Sequence, residues 1–596
     1  MPGQAEQLKD ELIDRVAERA QERLKDARAD LAKRFVRQFF ANVPPDDILN
    51  ESPDNLYGAA LSLWATGRKR APGTAKIRVY NPRPEEQGWK SPHTVVEIIN
   101  DDMPFLVDSL SVELARLGTE IHLIIHPIIR LARDDEGEMT TLYDPDTAPD
   151  EAARESFMHI QISEQPPESL EKIRAGLESV LSNVRAAVED WHPMRARMHE
   201  ILNELETAPP PLPADEIDEA RAFLQWLDDD HFTHLGYREY RFEGEGEAAL
   251  ARVEPESGLG VLRAEDVPVF DGLRELGALP SDVRDFVTKP ELLRVTKANR
   301  RSSVHRAVHM DTVAVKRFDE AGRVVGERLF VGLFTSIAYS RSPRYIPLLR
   351  HKIDYAAGHA GFPSSSHDGK ALMHILETFP RDELFQIGED ELLETALGIL
   401  HLQERQRIAL FVRRDPFERF ISCLVYVPRD RYDTALRLKF QQVLTEALNG
   451  SIAAFSTHLD DTALARMHLI VKTTRGQIPD FDVAELERRL VEAGRSWADK
   501  LRKALIDAHG EEQGLSLLHR YARAFPASYR DAFNELAAVF DIARIEEALA
   551  GDAPTMNLHR PIEAAEDEIH FKIYVPGAPI PLSDVLPMLE HRGLKV

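Results

Sequence analysis

The segment Thr94–Leu131, TVVEIINDDMPFLVDSLSVELARLGTEIHLIIHPIIRL, restricts the fold more than any other stretch of the chain. It opens with Val95, Val96, Ile98 and Ile99, a short β-branched run that reads as a buried strand. Asn100-Asp101-Asp102 breaks the run, since Asn and Asp side chains bond nearby backbone N–H groups, and Pro104 suits a first helical turn. Leu106, Leu110, Leu114 and Leu117 then share one helical face, and Gly118 is the expected stop. A second apolar run, Ile121 to Leu131, is again strand-like. Strand, helix, strand begins a ferredoxin-like sandwich.

The next segment extends this sandwich. After an acidic, turn-rich loop from Asp134 to Glu155, the stretch from Ser156 to Ser163 alternates like a half-buried strand, and Ser169 to Trp191 has helical periodicity. The order β-α-β-β-α is what an ACT domain, a small amino-acid-sensing module, requires before its last strand. Ile77-Arg-Val-Tyr80 offers an additional strand. A second unit shows strands at 407–413, 420–428, 451–458 and 465–472, with a helix over 431–449; because it begins as a hairpin, it departs from strict ACT order.

These residues resemble a family. EIINDDMPFLVDSL with IHLIIHPIIR is similar to the amino-terminal region of the large bacterial NAD-specific glutamate dehydrogenases. The likeness continues through FLQWLDDDHFTHLGYREY (223–240), RVTKANRRSSVHR (294–306), FVGLFTSIAYSRSPRYIPLLR (330–350), SHDGKALMHILETFPRDELFQI (366–387) and LFVRRDPFERFISCLVYVPRDRY (410–432). The resemblance implies ACT-like modules, a PAS-like or related sensory sheet, and a whole enzyme that converts L-glutamate to 2-oxoglutarate and ammonia with NAD.

The expected architecture is α+β and multidomain: ferredoxin-like βαββαβ modules, a PAS-like antiparallel sheet and helical linking segments. Its parts are an N-terminal helical segment (1–71), a first ACT-like domain with its following helix (72–207), a Pro-rich linker (208–214), and the antiparallel sheet domain (215–342). A helical segment (343–406), a second ACT-like domain (407–475), another helical segment (476–566) and the start of a third ACT-like domain (567–596) complete the chain. The last stretch carries a strand at Glu568–Pro576, a helix at Pro581–His591 and the opening of another strand at Gly593–Val596, so the module is expected to continue beyond Val596.

Composition removes several functions. Acidic residues (100) exceed basic ones (74), which disfavours a general nucleic-acid binder. The densest basic run, Arg68-Lys69-Arg70, lies between turn residues and reads as a solvated loop. The single cysteine, Cys423, sits in an apolar strand as a buried small hydrophobe and excludes multi-cysteine zinc sites. No apolar stretch is long enough for a membrane span and no secretory signal is visible, so a cytoplasmic location is expected. There is no G-x-G-x-x-G: Gly244-Glu-Gly246 lacks a third glycine, and Gly258-Leu-Gly260 has no helical pattern after it. No catalytic, cofactor-binding or metal residues are assigned; NAD is expected only in the full-length enzyme, and this chain alone is expected to be inactive. His122 and His126 share a strand face but have no acidic or thiol third ligand at metal spacing, and His231 and His234 lie among aromatics and read as sheet residues rather than ligands or bases.

The candidate binding site is the strand-to-helix turn, with Asn100, Asp101, Asp102 and Asp108 as effector-binding residues. In ACT domains a small effector lies near this turn; free N–H groups at a helix start favour a carboxylate, and the aspartates attract an ammonium. Alternatively the aspartates cap the helix and pair with Arg or Lys from a neighbour. Lys297, Arg300, Arg301 and Arg306 form a second candidate, either an anion-receiving or subunit-contact loop or a salt-bridged surface. The expected partners are further copies of the chain, the C-terminal catalytic region and an amino-acid effector, with no nucleic acid and no membrane. The chain is thus read either as an allosteric sensor or as a scaffold that only pairs subunits.

Overall fold

Three times along the chain a two-stranded antiparallel hairpin is followed by a helix, and this repeat orders the fold. The computed structural model describes residues 3–24, 28–244, 248–269, 276–402, 405, 407–460, 462–560 and 569–593. The expected strand at Gly593–Val596 falls, beyond Gly593, outside the described residues, as does Gly246. The chain divides into two units, Met1–His401 and Leu402–Val596.

In the first unit, β1 (Lys76–Tyr80), β2 (Thr94–Asp101), β3 (Ile121–Ile125), β4 (Ile128–Arg133), β5 (Met139–Leu142) and β6 (Ala153–Ile162) form one sheet in the order β1-β2-β6-β4-β5, with β3 also on β6. Every pairing is antiparallel. The expected single strand from Ile121 to Leu131 is split at His126-Pro127. Pro127 has no N–H to give a ladder, while its carbonyl accepts from Phe157 N at 3.1 Å, so both halves still pair with β6. The expected final strand after the second helix does not form. Helix Pro167–Glu189 leads straight into helix Trp191–Thr207, and the edge beside β2 is already taken by β1. The βαββαβ order is therefore corrected to one whose edge strand comes first.

β2 is buried along nearly its whole length, which explains its unbroken apolar run. Helices Leu106–Arg116 and Pro167–Glu189 pack together closely where Gly176 leaves room; a Cβ there would lie 2.5 Å from Glu113 Oε1. The N-terminal helices Gln4–Arg23, Arg28–Phe40 and Pro53–Gly67 pack on the body of the sheet. Phe35 stacks with Phe39 and meets Trp64 and Phe157 at ring separations of 5.3–5.8 Å, in one core with Ile99, Ile129 and Leu131.

A second sheet joins β7 (Phe232–Glu243), β8 (Leu250–Val253), β9 (Leu259–Gly260), β10 (Leu293–Arg301), β11 (His309–Phe318) and β12 (Val324–Phe334) in the order β10-β11-β12-β7-β8, with β9 on β7. The Asp319–Gly322 turn joins β11 to β12, and Asp319 Oδ1 accepts from the N–H groups of Ala321 and Arg323. Four helices between Leu349 and Leu400 complete the unit.

In the second unit, β13 (Ala409–Arg414), β14 (Phe420–Pro428), β15 (Ser451–His458) and β16 (Leu464–Lys472) pair in the order β13-β14-β16-β15, with helices Thr434–Ala447 and Val483–Ala493 over a common core. This repeats the first module: edge strand, central strand, helix, outer strand, central strand, helix. Cys423 is fully buried in that core. The expected helix Val483–His509 is interrupted at Gly494–Ser496. A Cβ on Gly494 would meet Ile408 Cδ1 at 2.3 Å, and Ser496 with Asp499 forms a capping box that starts helix Trp497–His509. Three further helices end at Gly551. The hairpin of β17 (Thr555–His559) and β18 (His570–Tyr574) and helix Leu582–Glu590 then start the same pattern a third time.

Candidate functional site

The turn from Asn100 to Asp108 carries the effector-binding residues expected from sequence. Helix Leu106–Arg116 begins later than Pro104 suggests, and neither Asp101 nor Asp102 caps it: Phe105 holds the N-cap position with φ 72° and no side-chain cap. The aspartates are drawn elsewhere by arginines. Asp101 Oδ1 accepts from Arg70 Nη2 at 2.6 Å, and its Oδ2 lies 2.8 Å from Arg185 Nη1. Arg185 Nη2 also donates to Asn100 Oδ1 at 2.7 Å, so one guanidinium spans two turn residues. Asp102 pairs with Arg154 at 2.8 Å and accepts from Ser156 Oγ at 3.2 Å. Asp108 is exposed, with His305 Nδ1 2.9 Å away. His305 N also donates to Ser109 Oγ, which brings the 302–308 loop of the second sheet onto this helix.

Beneath the turn lies a group that sequence reasoning missed. Glu155, expected at the end of an acidic, turn-rich loop, is a β6 residue at 1% exposure. Arg133 grips it bidentately at 2.7 Å through both pairs, and Arg70 Nη2 adds a contact at 2.8 Å. Arg70 is likewise not in a solvated loop; it is 2% exposed and bridges Glu155 to Asp101. Burial opposes ionisation of Asp101 and Glu155, but the hydrogen bonds and charges of the arginines outweigh it and hold both carboxyls below their ordinary range. The sequence carries no alternation that would reveal it, because Arg154, Glu155 and Ser156 are polar in succession ahead of the apolar part of the strand. The arrangement is a charged strand end whose carboxylates are already met by internal cations.

The other sequence candidates separate. Lys297 is inserted between Asp311 (2.6 Å) and Asp382 (3.0 Å); burial works against its charge, but the two carboxylates prevail and raise its pKa. Arg306 donates to Phe334 O at 2.7 Å, and Arg300 and Arg301 are exposed. His122 bonds Ser163 Oγ and stacks on His93, whereas His126 bonds Ser156 Oγ, so the two rings serve different neighbours. His231 stacks on Trp226, and burial holds His234 neutral by pushing its pKa down to about 4. Gly260 has φ 60°, and a Cβ there would lie 2.2 Å from Leu235 O, so its need is a close backbone approach rather than a phosphate. Among the described residues no cluster of three His, Cys, Asp or Glu side chains is placed to hold a metal ion, and no helix is long and apolar enough to cross a membrane.

A repeated antiparallel sheet with two helices, with each strand-to-helix turn at the end of a central strand, defines this chain as a carrier of ACT-type modules separated by other domains. Family models agree in detail: those described as the glutamate dehydrogenase ACT1, ACT2 and ACT3 domains match residues 35–177, 409–498 and 553–596, and helical motifs 1 and 2 match 346–405 and 504–548. The NAD-specific glutamate dehydrogenase of Halomonas elongata is 41% identical over 595 residues, 99% of this chain and 37% of the relative. That of Pseudomonas aeruginosa is 36% identical over 94% of this chain and 35% of its own length, and that of Mycobacterium tuberculosis 29% identical over 91% and 33%. The chain belongs to the large bacterial NAD-specific glutamate dehydrogenase family. It spans about a third of the length of these curated relatives.

Proposed function

We propose that this chain is the amino-terminal regulatory and assembly region of a cytoplasmic NAD-dependent glutamate dehydrogenase. The whole enzyme takes L-glutamate, NAD and water to 2-oxoglutarate, ammonia and NADH. One observation carries the reading: the ACT-type arrangement is present twice in full and a third time in its opening hairpin and helix, alternating with helical motifs. The second sheet has its first strand, β7, between its second, β8, and its last, β12, and this order supports a PAS-like sensory domain. In this reading catalysis and NAD binding belong to the C-terminal region, and the modules pair copies of the chain and carry effector information.

The first module takes an amino acid at the turn. Its carboxylate is received by the N-terminal N–H groups of helix Leu106–Arg116, and its ammonium by Asp101, Asp102 and Asp108, beside Asn100. A second reading, a scaffold without effector, is favoured by the arginines that already satisfy Asp101 and Asp102. Thermal-shift titration with the common amino acids decides between them, because a ligand that binds only the folded state raises the melting temperature with concentration. A saturable shift with one amino acid, abolished by Asp108→Ala and Asp102→Asn, is expected. No shift with any amino acid would leave the scaffold, and a shift with NAD would relocate the cofactor site into this chain.

A further inference from the structure

The turn after the central strand β14 differs from its counterpart in the first module. There, arginines and carboxylates neutralise one another; here the turn opens onto a cavity of about 430 Å³. The walls come from the entry to β13 (Arg407, Ile408), the turn itself (Pro428, Arg431), the end of helix Val483–Ala493 and one face of helix Trp497–His509. That volume lies within the range of pockets for small molecules, roughly 300–1,000 Å³.

Its charge is opposite to that of the chain. Five cations line it, Arg407, Arg431, Arg495, Arg502 and Lys503, against two carboxylates, Asp499 and Asp507, in a protein of net charge −26. The acids do not cancel this excess. Asp499 is committed: it accepts from Ser496 N and Oγ in the capping box, and Arg431 Nη1 lies 2.8 Å from it. Arg495 is held by Glu492 at 2.7 Å. No ion pair joins Arg407, Arg502 or Lys503 to a carboxylate among the described residues, and Asp507, the remaining acid of the lining, leaves three cations against one carboxylate. Like charges converging on one hollow repel one another, and an anion placed between them removes that cost while satisfying guanidinium forks suited to carboxylate or phosphate oxygens. Ile408, Val491 and Ile506 supply an apolar lining for a short carbon skeleton.

We infer that this cavity binds a small polyanion bearing two or more carboxylate or phosphate groups. The site joins the module to the helix on its C-terminal side. Gly494–Ser496 is the break between helices Val483–Ala493 and Trp497–His509, and a ligand held by Arg407 on one side and Arg502 and Lys503 on the other clamps the module to the next helix. This inference goes beyond the amino-acid reading of the first module and stands without it.

The test is calorimetric titration of the complete 596-residue chain with pyrophosphate and, separately, with succinate, ionic strength being held constant with sodium chloride. Saturable binding of at least one is expected, and the double variant Arg502→Gln/Lys503→Gln should bind it roughly tenfold or more weakly. Both side chains are exposed, so the ligand-free melting temperature of the variant should match that of the parent. Pyrophosphate alone would assign a phosphate ester, and succinate alone a dicarboxylate. Absence of saturable binding by either anion, or unchanged affinity in the double variant, would overturn the inference. Asp108→Ala serves as the control that separates the two sites, since it should leave anion binding intact whether or not the first module takes an amino acid.

Discussion

Replacing Glu155 by Gln tests whether the buried charge group under the first module's turn holds the domain together. The substitution preserves shape but removes the anion and turns an amide NH₂ toward guanidinium groups. Arg70 and Arg133, with side chains 2% and 5% exposed, are left with an uncompensated share of charge. Breaking a buried pair from one side costs about 3–5 kcal/mol. The lower end applies here, because Arg70 keeps Asp101 and the Thr74 carbonyl, and Arg133 keeps the carbonyls of Gly67 and Gly137. At about 3 kcal/mol, a unit of this size should melt roughly 3–6 °C lower near neutral pH. The pH dependence has a defined sign. The folded-state pKa of Glu155 lies below the ordinary value of 4.5, so its stabilisation is complete above that value and is lost as pH falls through the depressed one. Thermal unfolding followed by circular dichroism should therefore show a gap between parent and variant that is widest near neutrality and narrows in acid. A variant that melts with its parent at neutral pH, or a gap independent of pH, would refute the reasoning.

Gly67→Ala sets helix propensity against packing. Alanine in a helix gains roughly 1 kcal/mol over glycine, but a Cβ here would lie 2.3 Å from the Phe157 ring, which is fixed between Phe35 and its sheet neighbours, and overpacking costs about 1–3 kcal/mol. Net destabilisation is expected in chemical denaturation, and a more stable variant would show that the aromatic core yields. Asp541→Ala should free the β17–β18 hairpin: Asp541 accepts from Lys572 at 2.7 Å and Tyr574 at 2.6 Å, as well as from Tyr529, and is itself buried. Limited proteolysis should then cut within 555–593 at least several-fold faster, and an unchanged cleavage rate would place the hairpin's anchorage elsewhere.

The elements themselves were legible where periodicity was strong. Leu106, Leu110 and Leu114 are buried as their spacing requires, Gly118 ends the helix with φ 78°, and β2 occupies its apolar run. The hidden features depended on partners remote in sequence. Arg70 stands among turn residues and Glu155 at the end of an acidic stretch, and each is polar enough to read as solvated; only the fold brings them 2.8 Å apart and makes both buried. The N-cap shows the same limit from the other direction. Asp101 and Asp102 are good capping residues by type, yet remote arginines compete for them, and the helix starts without either. The turn was located from sequence, and its electrostatic balance was not.

The strand order has consequences both for folding and for how each module ends. A module whose edge strand came last would have to bring it back across the whole domain to reach the first central strand. With the edge strand first, β1 pairs β2 across residues 81–93, and β13 pairs β14 across 415–419, so the first sheet contacts of each module are local. Local pairing lowers the loop-closure cost that must be met before non-local contacts contribute. It also leaves each module ending on a helix rather than a strand. Pro167–Glu189 is separated from Trp191–Thr207 only by Asp190, and Val483–Ala493 from Trp497–His509 only by Gly494–Ser496. Only one to three residues, and no return strand, therefore stand between the terminal helix of each module and the next helix. The hairpin-first order thus ends each module on a helix that lies one to three residues from the next, and in the second module the basic cavity lies at that junction.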